Sequence, residues 1–312
     1  MNKEGHKLAA AHKQRNGYLY GLAAYGLWGV MPFYFKLIAD IGPLDIVAHR
    51  ILWSVPFLFL LVGLSKGRAR LVAAVRAPRT LAILALTAVL IAINWLLFVY
   101  SVVNGYILAA SLGYYLNPLG NVLLGRFVLG ERLSRLQWAA VSIAAGGIAV
   151  LAAGAVGQLW ISLTLCVTFA FYGLLRKVVA ADAITGLTIE TALLFPVALG
   201  WLAFQFAIGV PVFGTGSLDA GLLVFAGIAT TTPLLAFTAA ARRLDYSTLG
   251  MLQFLAPTLQ FLLAVFFYGE RLTTAHAIAF AAIWTALALY VYALLSDYRS
   301  RRALDLAELA EP

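Results

Sequence analysis

Polar and aromatic side chains lie inside long apolar stretches of this 312-residue chain. Arg50 and Glu190 fall a few residues inside such stretches, and Asn94 and Asn117 fall near the middle of theirs. A charge within lipid costs at least about 2.5–3.5 kcal/mol on insertion scales, and a buried amide needs hydrogen-bond partners. We therefore predict a cavity that binds a small solute between aromatic walls. The predicted substrate-binding residues are Trp28, Tyr34, His49, Arg50, Asn94, Trp95, Tyr114, Asn117, Tyr172, Glu190 and Gln253.

Three of these residues also have a structural interpretation. Arg50 is close enough to the end of its stretch to extend its guanidinium to the outer headgroups. Glu190 is three residues from the cytoplasmic end of its own stretch, where it could be a solvated carboxylate. Asn117 precedes Pro118, which frees a helix carbonyl that the amide could bind. Arg50 and Glu190 belong near opposite membrane faces, so no direct ion pair between them is expected.

The sequence has no arrangement of residues typical of catalysis or metal binding. Glu190 is the only carboxylate well inside an apolar stretch, and the single Cys166 has no disulfide partner. The four histidines are scattered along the chain at His6, His12, His49 and His276. We therefore predict that the protein is not an enzyme and holds neither a metal nor a cofactor.

The composition indicates which kind of secondary structure positions these residues. Apolar residues make up 63% of the chain and charged residues 11%, with a mean hydropathy of +0.92, which excludes an ordinary soluble domain. Because about 20 apolar residues cross a bilayer as a helix, the chain can supply about ten spans. They are predicted at 17–38, 45–64, 80–101, 107–126, 137–155, 159–175, 188–206, 221–241, 248–267 and 275–295.

The loops between these stretches differ sharply in charge. Of the 22 Lys and Arg, Arg271 lies on one side, Lys36 and Arg50 lie in or at the edge of spans, and the other 19 share the side of the N-terminus. The positive-inside rule therefore predicts a multi-pass inner-membrane protein with both termini in the cytoplasm. The same rule explains the high pI without a nucleic-acid partner.

The chain also repeats itself with an offset of about 139 residues. Pro118 corresponds to Pro257, and the sequence Gly-Glu-Arg-Leu at 130–133 recurs at 269–272. The two Glu-Arg pairs, Glu131-Arg132 and Glu270-Arg271, are interpreted as anchors of helix ends. We predict a cytoplasmic tail at 1–16, repeats at 17–155 and 156–295, and a second tail at 296–312. Five spans per repeat is an odd number, so the second repeat is inverted relative to the first.

These features resemble a known family. The five-plus-five arrangement with Gly-Glu-Arg after the fourth and ninth spans is similar to the EamA branch of the drug/metabolite transporter superfamily, and more narrowly to its RarD members. Gln253-Phe254 departs from the Gln-Tyr expected of that group. The resemblance implies export of drugs or metabolites. The RarD-like strings are HRILWS (49–54), NWLLF (94–98), SLGYYLNPL (111–119), FYGLLRK (171–177), TTPLLAFTAAARRL (231–244) and PTLQFLLAVFFYGE (257–270).

We therefore expect an all-α membrane protein of ten transmembrane helices in a 5+5 inverted repeat. The expected function is secondary transport, in the export direction, of small metabolites or drug-like solutes by alternating access. A proton-coupled antiporter and a channel are the alternatives. Glu190 and His49 are weak candidates for a proton site, which favours a facilitator or exchanger in which Arg50 meets an anionic or zwitterionic group. The expected partners are a small-molecule substrate and membrane lipid, with the chain a monomer or homodimer.

Overall fold

The computed structural model describes residues 3–104, 106–153, 156–214, 216–267 and 274–310, and within them every regular element is helical. Each predicted apolar stretch falls largely on helical residues. A 3₁₀ turn at Val156–Gln158 precedes α7, and a π-helical turn at Leu263–Phe267 follows α11. The helices are α1 (Lys3–Leu37), α2 (Pro43–Leu64), α3 (Arg68–Arg76), α4 (Pro78–Val103), α5 (Ile107–Phe127), α6 (Arg135–Ala152), α7 (Leu159–Val178), α8 (Ala183–Ala207), α9 (Ser217–Ala241), α10 (Tyr246–Gln253), α11 (Leu255–Leu262) and α12 (Thr274–Ala310).

Eight spans in the described residues are long and apolar enough to cross a membrane, one of them formed by α10, α11 and the π-helical turn together. The chain is therefore a multi-pass membrane protein. Helices α1 and α5 are also long but fall outside that set, and they carry many Tyr, Gly and Asn residues. The count of ten spans thus stays a prediction. Helices α1 and α12 extend into the stretches predicted as terminal tails.

The ninth apolar stretch is broken where its proline would disturb a helix. A turn at Phe254 separates α10 from α11, and Pro257 is the third residue of α11. The missing N–H of Pro257 falls in a first turn, where backbone N–H groups have no helical partner in any case. Pro56, Pro118 and Pro196, by contrast, lie inside continuous helices.

The helices pack as a bundle in which α2 contacts both α8 and α9, α5 lies between α7 and α10, and α6 pairs with α12. Gly227 of α9 lies directly against the backbone of Trp53 and Ser54, so only a residue without a side chain allows α2 and α9 to approach this closely. Ser54 Oγ donates to Gly227 O at 3.2 Å and accepts from Thr231 Oγ1 at 2.8 Å. This contact fixes the part of α2 that carries Arg50.

One end of the bundle, here called the basic face, is tied together by charged side chains. It comprises α3 and the loops 65–67, 128–134, 179–182 and 242–245. Arg242 donates to the carbonyls of Val179 and Ala181 at 2.8 Å, and Lys177 donates to the carbonyls of Ala241 and Leu244. These bonds satisfy backbone carbonyls in the two loops that follow α7 and α9.

Glu131 also belongs to this face, and it caps a helix other than the one that precedes it. Its carboxylate accepts from the backbone N–H of Tyr246 at 2.5 Å and of Ser247 at 2.9 Å, so it caps the first turn of α10. The corresponding pair Glu270-Arg271 lies outside the described residues.

Candidate substrate cavity

A cavity of about 380 Å³ lies inside the bundle, within the range of about 300–1,000 Å³ usual for small-ligand sites. It is located toward the end of the bundle opposite the basic face, near the end of α1 and the start of α2. Six of the predicted residues line it, namely Trp28, Arg50, Asn94, Trp95, Tyr114 and Gln253. The other lining residues are Tyr25, Met31, Pro32, Phe35, Val47, Ile91, Phe98, Ser111, Tyr115, Phe169, Leu234, Ala256, Pro257 and Gln260.

Arg50 is the only charged side chain in the described lining of this cavity. Its Nε donates to Thr230 Oγ1 at 2.7 Å, which holds the guanidinium against α9. The guanidinium carbon lies 4.9 Å from the ring centroid of Trp95 and 5.7 Å from that of Phe35. Cation–π contacts of this kind partly replace lost hydration. The Arg50 guanidinium is thus held between α9 and the rings of Trp95 and Phe35.

The amides of the lining are fixed by neighbours rather than free to rotate. Asn94 Nδ2 donates to Leu165 O at 2.9 Å and to Thr168 Oγ1 at 3.0 Å, both on α7. Gln253 Oε1 accepts from Asn121 Nδ2 at 2.9 Å. The lining therefore presents pre-positioned polar atoms among aromatic rings.

The cavity is closed toward the basic face by a cluster of rings, here called the aromatic plug: Tyr25, Phe169, Tyr172, Phe237 and Tyr246. Phe237 lies 5.3 Å from Phe169 and 6.3 Å from both Tyr25 and Tyr172, measured between ring centroids. Tyr246 Oη donates to Ala170 O at 2.6 Å, which ties α10 to α7. All five side chains are buried, so a solute in the cavity meets a sealed wall on this side.

Five predicted residues lie outside the cavity lining, namely Tyr34, His49, Asn117, Tyr172 and Glu190. Tyr34 donates to Leu222 O at 2.8 Å, and His49 bonds Val212 O at 2.6 Å. Asn117 is completely buried, and neither of its amide atoms has a hydrogen-bond partner within the described part of the chain. The freed helix carbonyl considered for Asn117 is therefore not its partner.

Glu190 and Tyr172 form a separate buried cluster. Glu190 is 1% exposed and its Oε1 lies 3.5 Å from Nε of Arg176, which is 0% exposed. Thr87 Oγ1 donates to Oε1 at 2.5 Å and Tyr172 Oη to Oε2 at 3.4 Å. The interpretation of Glu190 as a solvated carboxylate is wrong, because α8 packs against α4 and the Glu190 side chain is buried against Tyr172 and Arg176 of α7. Among the described residues, the ion-pair partner of Glu190 is Arg176.

A second, much smaller cavity is lined by both Arg50 and Glu190. Its volume of about 10 Å³ is near the minimum that a single water requires. Its lining also includes the hydroxyl residues Ser54, Thr230 and Thr231 and several apolar side chains. Arg50 and Glu190 thus line the same small cavity without forming an ion pair.

Sequence patterns missed several residues that complete these sites. The position of Arg176 beside Lys177 predicts a residue of the cytoplasmic loop, but Arg176 is buried because Gly186 leaves room for its guanidinium. Thr87 and Phe35 carry no local signal. Thr230 does, because it opens a run of three threonines in an otherwise apolar helix.

Comparison with known proteins assigns the chain to a family. The EamA-like transporter family matches residues 15–153. Protein RarD of Escherichia coli strain K12 is 45% identical, with 90% of this chain and 95% of that protein covered. An uncharacterized transporter of Vibrio cholerae is 44% identical, with coverage of 93% and 96%. This chain belongs to the RarD family of EamA-like transporters. It is therefore a membrane transporter.

The fold of this RarD-family chain also occurs in a more distant crystal structure. That protein is 21% identical, and it superposes with a TM-score of 0.67 over 89% of this chain and 97% of its own. At this identity the similarity concerns the fold alone.

Proposed function

We propose that the chain is a secondary transporter that exports a small organic solute by alternating access between two inverted repeats, 17–155 and 156–295. The observation that carries this proposal is a ligand-sized cavity lined by helices of both repeats and sealed at one end by the aromatic plug. A cavity accessible from one side at a time is what alternating access requires. Several relatives are named as transporters, which favours a carrier over an enzyme.

Helix contacts support the inverted repeat. Under this division α1, α2, α4, α5 and α6 correspond to α7, α8, α9, α10–α11 and α12. Contacts of α1 and α2 with α9 then have counterparts in contacts of α7 and α8 with α4. The α5–α7 contact has its counterpart in the α11–α1 contact, and the α2–α8, α5–α10 and α6–α12 contacts map onto themselves. A two-fold exchange of the repeats would produce this pattern.

We propose that the protein lies in the inner membrane with its basic face in the cytoplasm, in accordance with the positive-inside rule. The cavity then lies toward the outer side, as in a state that releases an exported solute. Cysteine labelling in a Cys166→Ala background tests this orientation. An impermeant reagent should label Ser217→Cys but not Ser65→Cys in intact cells, and the reverse result would refute it.

The proposed energetics are those of a facilitator or exchanger. Glu190 is paired with Arg176, and His49 bonds a backbone carbonyl, so neither side chain faces the cavity as a free proton acceptor. One observation favours the alternative of a proton-coupled antiporter: Glu190 lines the small cavity that Arg50 also lines. Uphill uptake that follows an imposed pH gradient in liposomes, and is lost in Glu190→Gln, would establish the antiporter instead.

Flux in liposomes separates a carrier from a channel. We expect saturable uptake that a countersubstrate accelerates, whereas non-saturating current would support a channel. Trp95→Ala and Tyr114→Ala should weaken transport while the thermal midpoint stays close to the parent. Normal transport in both variants would refute the proposed cavity. The cavity is complete within one chain, so the proposal holds for a monomer or a homodimer.

A further inference from the structure

We propose that the central cavity selects organic monoanions with an aromatic or apolar body, and that the terminal nitrogens of Arg50 bind the anionic group. This inference rests on the proposed transport function and specifies the substrate class of the same site.

The geometry of Arg50 leaves one part of its guanidinium available. Nε is engaged by Thr230, and the rings of Trp95 and Phe35 lie near the guanidinium carbon. The two terminal nitrogens make no hydrogen bond to any residue that the structure describes, although the side chain lines the cavity. A guanidinium presents paired N–H donors that match a carboxylate or similar oxyanion. The anchored Arg50 is therefore positioned to bind such a group.

No carboxylate among the residues that the structure describes forms an ion pair with Arg50. Within the described lining, the other polar groups are amides and hydroxyls, and none is a carboxylate. Glu190, a carboxylate that lines the neighbouring small cavity, is instead paired with Arg176 at 3.5 Å. A desolvated cation without a partner is costly. A bound anion would supply the missing charge.

The same inventory limits the class of ligand. A cationic solute would be repelled by Arg50, and the ammonium of a zwitterion would find no carboxylate in the described lining. One cation compensates one negative charge, which favours monoanions over dianions. The walls formed by Trp28, Phe98, Tyr114 and Phe169 suit a flat or apolar body.

This class also explains export without a proton site. The interior of a cell is electrically negative, so an anion that leaves with its charge is driven outward by the membrane potential. A membrane potential of about 100 mV is worth about 2.3 kcal/mol per charge. It would sustain a roughly 50-fold excess of the monoanion outside the cell at equilibrium.

Four probes that share one phenyl body test the charge preference: 3-phenylpropionate, phenylalanine, 2-phenylethylamine and 3-phenylpropionamide. They are anionic, zwitterionic, cationic and neutral, and their binding to the full chain in detergent is measured by calorimetry. We expect the anion to bind about 10- to 100-fold more tightly than the amide, as for loss of one charge-assisted contact. Equal affinities, or tighter binding of the amine or the zwitterion, would overturn the inference without requiring any variant.

Variants then test whether Arg50 is the cause. Arg50→Gln should remove the preference for the anion and leave amide binding within about twofold, since the aromatic walls are unchanged. Arg70→Gln replaces an exposed arginine of the basic face and should change neither affinity. Retention of the anion preference in a folded Arg50→Gln variant would overturn the inference. If Arg50→Gln does not fold, Arg50→Lys takes its place and should weaken but retain the preference for the anion.

Flux of the same probes separates this inference from the proposed function. Saturable transport of the amine rather than the acid would leave a transporter with the wrong substrate class. Tight binding of the acid without saturable flux would refute transport and leave the anion site in place.

Discussion

Replacing Glu190 by Gln is expected to destabilise the protein by about 3–5 kcal/mol, the cost of removing one partner of a buried ion pair. The structure explains this size, because the environment of Arg176 offers little compensation. Its Nε and Nη1 have no hydrogen-bond partner in the described residues, and Nη2 donates to Ala183 O at 3.0 Å. Without the carboxylate, a fully buried guanidinium would lack its counter-charge, and it cannot lose its proton.

The reciprocal change, Arg176→Gln, should cost less, about 1–3 kcal/mol. Glu190 would keep the donors Thr87 and Tyr172, and a carboxyl group can be neutralised by a proton. The two changes combined should cost clearly less than their sum, since each removes the same interaction.

Equilibrium unfolding in mixed micelles measures these differences, and a matched pair on the basic face provides the control. Arg70 and Asp182 are separated by the same 3.5 Å, but their side chains are 54% and 35% exposed. Arg70→Gln should therefore change stability by less than about 1 kcal/mol. A loss of under about 1 kcal/mol for Glu190→Gln would refute the reasoning, because burial would then not distinguish the two ion pairs.

Three further changes have definite expected outcomes. Partial burial raises the pKa of Asp182, but hydrogen bonds from Thr185 and the charge of Arg70 outweigh it, so the pKa lies below its usual range. This stabilisation is present above the unfolded pKa of about 3.9 and is lost as the pH falls through the folded pKa. Asp182→Asn should therefore flatten the loss of thermal stability seen on acidification below about pH 4. Glu131→Ala should lower stability by about 0.5–2 kcal/mol through loss of the α10 cap, measured by unfolding. Gly173→Ala places a methyl group against Tyr246 and should cost about 1–3 kcal/mol, whereas Gly146→Ala, which meets no atom within 4 Å, should not destabilise the fold.

Much of the fold is predictable from sequence because membrane helices are specified by one-dimensional properties. A helix satisfies its own backbone in lipid, so a long apolar stretch suffices to place it. The basic loops likewise predict which loops share a face. Contacts such as Arg70–Asp182 and those of Arg242 then link these loops in the structure.

The candidate site is less predictable because burial depends on which helices meet. Arg176 reads as a loop residue from its position beside Lys177, yet it is buried against α8. Asn117 and Trp95 both fall near the middle of apolar stretches, but only Trp95 lines the cavity. Helix length and hydropathy do not determine these rotations, which follow from close approaches such as that of Gly227 to α2.

Arg50 and Glu190 occupy corresponding positions in the two repeats. This correspondence predicts that substitutions at Arg176 and Glu190 rank differently in their effects on transport and on stability. Arg50 of α2 donates to Thr230 of α9, and Glu190 of α8 accepts from Thr87 of α4. These helix pairs correspond under the proposed exchange of repeats, so an anion that enters from the basic face for export would approach Glu190. Arg176 then offsets a carboxylate that would otherwise repel the anion. At equal amounts of folded protein, Arg176→Gln should therefore reduce 3-phenylpropionate flux more than Glu190→Gln, although Glu190→Gln is the less stable variant. The same order in both measurements would mean that Arg176 serves the fold alone.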